Sequence, residues 1–119
     1  MKIEIYAKDV EMTSKLEEYV EKKISSFDKI LGGGDDERKC VFRIGKNTNA
    51  HTHGRIFFAD VRVETPNKAY GAKIKGDTEY EVVDKVKDEI LKKIRRHKNK
   101  ENSLLKRGGR KIKELLRLG

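Results

Sequence analysis

The sequence predicts an α+β domain in the order β-α-β-β-β-α, with two helices packed on one face of a four-stranded mixed sheet. Three observations carry that expectation. Apolar residues alternate with period two in short segments, and recur at spacings of three and four in two longer ones near residues 14–31 and 79–100. Each helical segment has a single apolar stripe, so both should bury it on the same sheet face. At 119 residues the chain is the size of one domain, with a core too small to enclose a large cofactor.

The elements follow in order. "KIEIYAK" puts Ile3, Ile5 and Ala7 on one side of a first strand. Thr13 or Ser14 can cap the first helix, and Ser14 with Glu17 makes a capping box. "SKLEEYVEKKISSFDKIL" then aligns Leu16, Val20, Ile24, Phe27 and Leu31, and "GGGDD" stops the helix. "KCVFRIGK" is a second strand and "NTNAHTHG" a polar loop. In "RIFFADVRVET" Phe57, Ala59, Val61 and Val63 oppose Asp60, Arg62 and Glu64. "PNK" makes a turn into a weaker fourth strand, "AYGAKIKG". Thr78 with Glu81 makes a second capping box, and the final helix buries Val83, Val86, Ile90 and Ile94. The first crossover should leave strands one and two parallel, while the short later connections make the rest antiparallel. Residues 101–119 read as a basic tail after a domain spanning residues 1–100, with Gly108-Gly109 breaking any continuous helix.

Charge narrows the function. Residues 1–91 hold 17 Lys/Arg against 18 Asp/Glu, whereas residues 92–119 hold 12 against 2. The net excess of +9 therefore sits in the last 28 residues, with "KKIRRHKNK" at 92–100 the densest run. Concentrated positive charge marks a polyanion binder, of nucleic acid or of an anionic membrane surface. On the first helix Lys15, Lys22 and Lys29 form a row seven residues apart, with Lys23 beside it. On the second, Lys85, Lys92 and Arg96 project together, flanked by Lys93 and Lys100, while Glu81, Asp84 and Asp88 fall on the other flank. Two adjacent helices would then offer one continuous basic stripe segregated from the acids.

Other function classes are poorly supported. No apolar run approaches the 18 residues of a membrane span, and "MKIEIYAKDV" has the alternation of a strand where a signal peptide would have an apolar core. The single Cys40 excludes an intrachain disulfide and suits a reducing compartment. His51 and His53 with distant Cys40 match structural zinc spacing poorly, so no metal is expected. No nucleophile–base order, paired carboxylates or phosphate-binding loop is visible, which reads as a non-enzyme without cofactor or small-molecule substrate.

Three stretches resemble the ribosome hibernation-promoting factors and ribosome-associated translation inhibitors: "IEIYAKDVEMTSKLEEYV", "FFADVRVETPNKAYGAKIKGDTEYEVVD" and "VDKVKDEILKKIRRHKNK". Their order, and gapless spacing over residues 57–100, give the likeness its specificity. The resemblance implies a fold similar to double-stranded RNA-binding domains. It also implies a cytoplasmic, ribosome-associated partner of the small ribosomal subunit, contacting its ribosomal RNA in the channel for messenger and transfer RNA. Translation would be silenced by occupancy. The family's basic positions fall on Lys23, Lys29, Lys92, Arg96, Lys98 and Lys100. With the helical rows, the candidate RNA contacts are Lys22, Lys23, Lys29, Lys85, Lys92, Lys93, Arg95, Arg96, Lys98 and Lys100. Ser26 and Glu89 stand where the family often carries Lys, and the loops "GGGDDERK" and "KNTNAHTHG" are longer than usual in it. The 19 residues after Lys100 are too few for the second domain of long-form members. The free protein is expected to be a monomer that does not engage membranes. A general structured-RNA-binding module, or a membrane-surface protein using "IKELLRLG", are the competing readings.

Overall fold

The computed structural model describes residues 1–33, 37–47 and 56–118, with side chains through residue 101. The elements are β1 (Lys2–Lys8), α1 (Ser14–Ile30), β2 (Lys39–Lys46), β3 (Phe57–Glu64), β4 (Ala69–Gly76) and α2 (Glu79–Leu118). The four strands form one sheet in sequence order, β1 parallel to β2 and the other two pairs antiparallel. This is the predicted α+β architecture.

Register decides what each sheet face carries. Phe42 lies opposite Ile5 and Val61, and Val61 opposite Ala72; the rows on either side run through Cys40, Val63 and Tyr70 and through Ile44, Ala59 and Ile74. These residues share one face because side chains alternate along a strand. Leu16, Val20, Ile24 and Phe27 from α1 and Val82, Val83, Val86, Ile90, Leu91 and Ile94 from α2 complete a single core on that face. β1 departs from expectation: Ile5 packs against the core, but Ile3 stays 48% exposed and Ala7 is exposed. β1 is an edge strand, and its ends lie at the margin of the helical layer, so alternation there does not guarantee burial.

The helix ends are built as their residues dictate. Thr13 is the N-cap of α1, accepting a bond from Leu16 N at 3.1 Å, so Ser14 becomes the first helical residue. Gly32 and Gly33 adopt φ of +98° and +66° and return their N–H groups to the carbonyls of Lys29 and Asp28. That conformation is open to glycine and strained for other residues. At α2, Thr78 accepts from Glu81 N at 3.1 Å, and the Glu81 carboxylate reaches back to Asp77 N at 2.8 Å.

One expectation is corrected. α2 continues through Gly108 and Gly109 to Leu118, 40 residues in all. A glycine pair penalises a helix by roughly 1 kcal/mol per residue relative to alanine. The Lys, Arg, Leu and Glu residues around it are strong helix formers that offset this.

Candidate nucleic-acid interface

The packing of α1 against α2 sets where the charges lie. Tyr19 on α1 donates its hydroxyl to Asp84 Oδ1 on α2 at 2.5 Å, and farther along Lys98 on α2 donates to the Ile30 carbonyl of α1. Early residues meet early and late meet late, so the helices run parallel. Their basic C-terminal ends therefore come together, Lys29 of α1 with the 92–100 run of α2. The β3–β4 turn adds Lys68 to this end. Thr65 shapes that turn, its hydroxyl donating to the Lys68 carbonyl at 2.7 Å and accepting from Lys68 N at 3.0 Å. Positive charge is thus gathered at one pole of the molecule.

α2 sorts its cations by the helical repeat. Lys93 and Lys100 turn toward β4, where Lys93 Nζ donates to the Gly71 carbonyl at 2.5 Å. Lys92 and Arg95 are exposed, Arg96 lines the β4 side with Lys93 and Lys100, and Lys98 reaches α1. Between α2 and β4 opens a cleft of about 350 Å³, with Lys68, Lys93, Arg96 and Lys100 around Tyr70 and His97. The Tyr70 hydroxyl and His97 Nδ1 are 2.7 Å apart. Burial, and then the charge of Glu101, raise the Tyr70 pKa. Phenol and imidazole share a hydrogen bond, and His97 Nε2 lies 3.4 Å from Glu101 Oε1. This pair fixes the orientation of the last core-facing turn of α2, beside Arg96 and Lys100.

The ten predicted contacts divide. Lys22, Lys29, Lys92, Arg95, Arg96 and Lys100 are exposed, and none forms an ion pair with a described residue. Lys93 and Lys98 are held on neutral carbonyls, with no described acid paired to either. Lys23 and Lys85 are compensated: Lys23 Nζ lies 3.2 Å from Asp84 and 4.5 Å from the Tyr19 ring centroid, and Lys85 Nζ lies 2.7 Å from Glu81. The expected segregation of acids from one continuous stripe is therefore corrected. Glu81 stands one turn before Lys85, and Asp84 faces α1, so both reach their cations. The field is a gradient along parallel helices, mixed at their N-terminal ends and positive at their C-terminal ends.

Sequence reasoning missed Lys68, Tyr70 and His97. The pairing of β4 with β3 would have placed Tyr70 on the core face, but only the tertiary packing brings it to His97. Ser26 turns its hydroxyl inward to the Lys23 carbonyl at 2.5 Å. Glu89 lies among Lys85, Lys92 and Lys93 at helical spacings of three and four, an acid on the basic flank. Among the described residues no three His, Cys, Asp or Glu side chains converge as metal ligands, and no helix is long and apolar enough to cross a membrane. His51 and His53 lie outside the described residues.

Comparison with known proteins decides the family. Residues 3–102 match the family described as sigma 54 modulation protein / S30EA ribosomal protein. The chain belongs to this family. The match runs from β1 past the basic run of α2 at residues 92–100. No curated protein matches the chain in sequence. Among solved structures, the N-terminal domain of Thermus thermophilus Protein Y superposes with a TM-score of 0.63 at 20% identity, covering 82% of this chain and 99% of that one. A ribosomal subunit interface protein from Coxiella burnetii gives a TM-score of 0.63 at 20% identity, covering 83% and 99%. At that identity the structural likeness speaks to the fold.

Proposed function

We propose that this protein binds the small ribosomal subunit through its ribosomal RNA, in the channel for messenger and transfer RNA, and silences translation by occupancy. The observation that carries this reading is membership of a ribosomal protein family over residues 3–102, the span that builds the basic pole. The physics supports it. A-form RNA hides its base edges in a deep, narrow groove, so a protein meets it through phosphates and shape. Rigid helical cations supply such contacts without reading sequence. The protein acts as a cytoplasmic monomer that needs no cofactor, its inhibition being steric.

Sedimentation tests it directly. Added protein should comigrate with small subunits in a sucrose gradient and inhibit translation in vitro, saturating near one copy per ribosome. Lys92→Glu with Arg96→Glu should abolish comigration while the circular dichroism spectrum stays native, because both side chains are exposed and outside the core. Lys15→Glu, at the mixed end of α1, should have little effect. Inhibition far below stoichiometry would defeat the occupancy mechanism. Comigration with free RNA but not with subunits would favour the general RNA-binding reading.

A further inference from the structure

The helices cover one face of the sheet; the other carries a distinct pattern. Its residues, by register, fall in rows across the four strands. One row is Lys8, Gly45, Phe58 and Lys75, and the next is Tyr6, Arg43, Asp60 and Lys73. Tyr6 is 50% exposed and Phe58 is half-buried, so two aromatic rings stand on a face over which no described helix packs.

Phe58 is held there by a missing side chain. A Cβ at Gly45 would lie 2.4 Å from Phe58 Cζ, so the ring folds down over Gly45. Cations lie over both rings, and a stacking base would take their place on the ring face. The Arg43 guanidinium lies 5.7 Å from the Tyr6 centroid and Lys73 Nζ lies 5.4 Å from the Phe58 centroid. Strand spacing of about 4.8 Å and rise of about 3.4 Å per residue put the Cα atoms of Tyr6 and Phe58 about 12 Å apart, two strands over and two residues along. An extended nucleic-acid chain crosses that distance in about two nucleotides.

The charges on this face are sorted. Glu4 is tied to Lys39 at 3.3 Å and to the Tyr6 hydroxyl at 3.1 Å, and Glu64 to Arg62 at 2.8 Å. The acids at that end are thus neutralised locally. Around the rings stand Lys8, Arg43, Lys73 and Lys75 against Asp60 and Glu4, the latter paired with Lys39. An aromatic pair ringed by cations matches the two parts of a nucleotide strand, since bases stack on the rings and phosphates meet the cations. Duplex RNA buries its base faces and cannot use the rings. An acidic peptide could use the charges but gains nothing from a flat ring pair.

We propose that this open sheet face is a second, independent RNA surface, a stacking platform that takes single-stranded RNA on Tyr6 and Phe58 with its phosphates on Lys8, Arg43, Lys73 and Lys75. It does not rest on the helical pole. The ribosomal reading and this one therefore fail separately.

The test titrates the full chain into a fluorescein-labelled eight-nucleotide oligoadenylate and follows anisotropy. Tyr6→Ala should weaken binding at least about fivefold, and Tyr6→Ala with Phe58→Leu by more than about tenfold. Lys92→Glu with Arg96→Glu should keep affinity within about threefold of wild type while abolishing comigration with subunits. Proton spectra should show the Tyr6 ring shifting as oligoadenylate is added, a readout that stands even if the Phe58 variant is destabilised. Wild-type affinity in Tyr6→Ala with an unmoved Tyr6 ring would overturn the proposal. So would loss of oligoadenylate binding in the helix variant, or equal competition by a duplex or by polyglutamate.

Discussion

Tyr19 ties α1 to α2 through one hydroxyl. Its bond to Asp84 holds that carboxyl below the usual aspartate range, with Lys23 reinforcing the effect against partial desolvation. The same bond raises the Tyr19 pKa. At Lys23 partial burial pulls the pKa down, but the Asp84 partner outweighs it and the net direction is up. Tyr80 packs edge-on to Tyr19 at 4.9 Å between centroids, shielding the group. Asp84 is half exposed, so screening limits what the contact contributes. Tyr19→Phe should lower stability by about 0.5–1 kcal/mol at neutral pH. A carboxyl with a depressed folded pKa stabilises fully above its unfolded value, near about pH 4, and loses that contribution as pH falls through the folded one. The gap between wild type and Tyr19→Phe should therefore close progressively on acidification below about pH 4. Urea unfolding across that range checks it, and a constant gap would mean the hydroxyl acts without the carboxylate. Cys40 illustrates the opposite environment. Desolvation pushes its thiol up to about 12, so it stays a protonated core residue without nucleophilic character.

At the scale of elements, the sequence was most legible where a periodic pattern coincided with a stop or start signal. All six elements and the mixed sheet follow from alternation, helical spacing, the glycine stop after α1 and the cap before α2. Burial in β1 was not legible, because alternation cannot say that a strand will be an edge. The charged surface was legible only in part. Helical spacing put Lys22, Lys29, Lys92 and Arg96 outside, and they are outside. It could not show that the helices run parallel, which is what pairs Lys23 with Asp84 and gathers the positive ends. The glycine pair gave the wrong signal for α2, and its helical continuity is open to a direct check. Gly108→Ala with Gly109→Ala should raise the thermal stability of the helical signal while changing its low-temperature amplitude little, since the helix is already continuous. Each change favours helix by roughly 1 kcal/mol. A large gain in amplitude would mean the helix ends before the pair.

At the scale of the whole molecule, α2 governs the shape. The protein measures 68 × 29 × 16 Å, and 40 residues at about 1.5 Å each give α2 about 60 Å of that length. An eight-residue strand spans only about 27 Å. Among the residues whose side chains are described, the last buried core residue of α2 is Ile94, while the helix continues to Leu118. The segment beyond Lys100 carries six Lys/Arg against Glu101 and Glu114, which extends the positive pole along the molecule's long axis. Such an arm should add affinity without choosing the site, because the folded domain fixes orientation while extra cations chiefly release counterions. Each neutralised phosphate contributes about 0.7–0.9 to the dependence of log affinity on log salt. If about three to five of these charges engage, a chain ending at Lys100 should bind subunits with a slope about 2–4 units shallower. Its footprint on the ribosomal RNA should stay in place, with protection lost only at the margin that the arm reaches. The measurement is a salt titration of binding for both chains with chemical footprinting of each complex. An unchanged slope would mean the arm stays off the RNA. A footprint that moves would mean the arm selects the site and the helical pole follows.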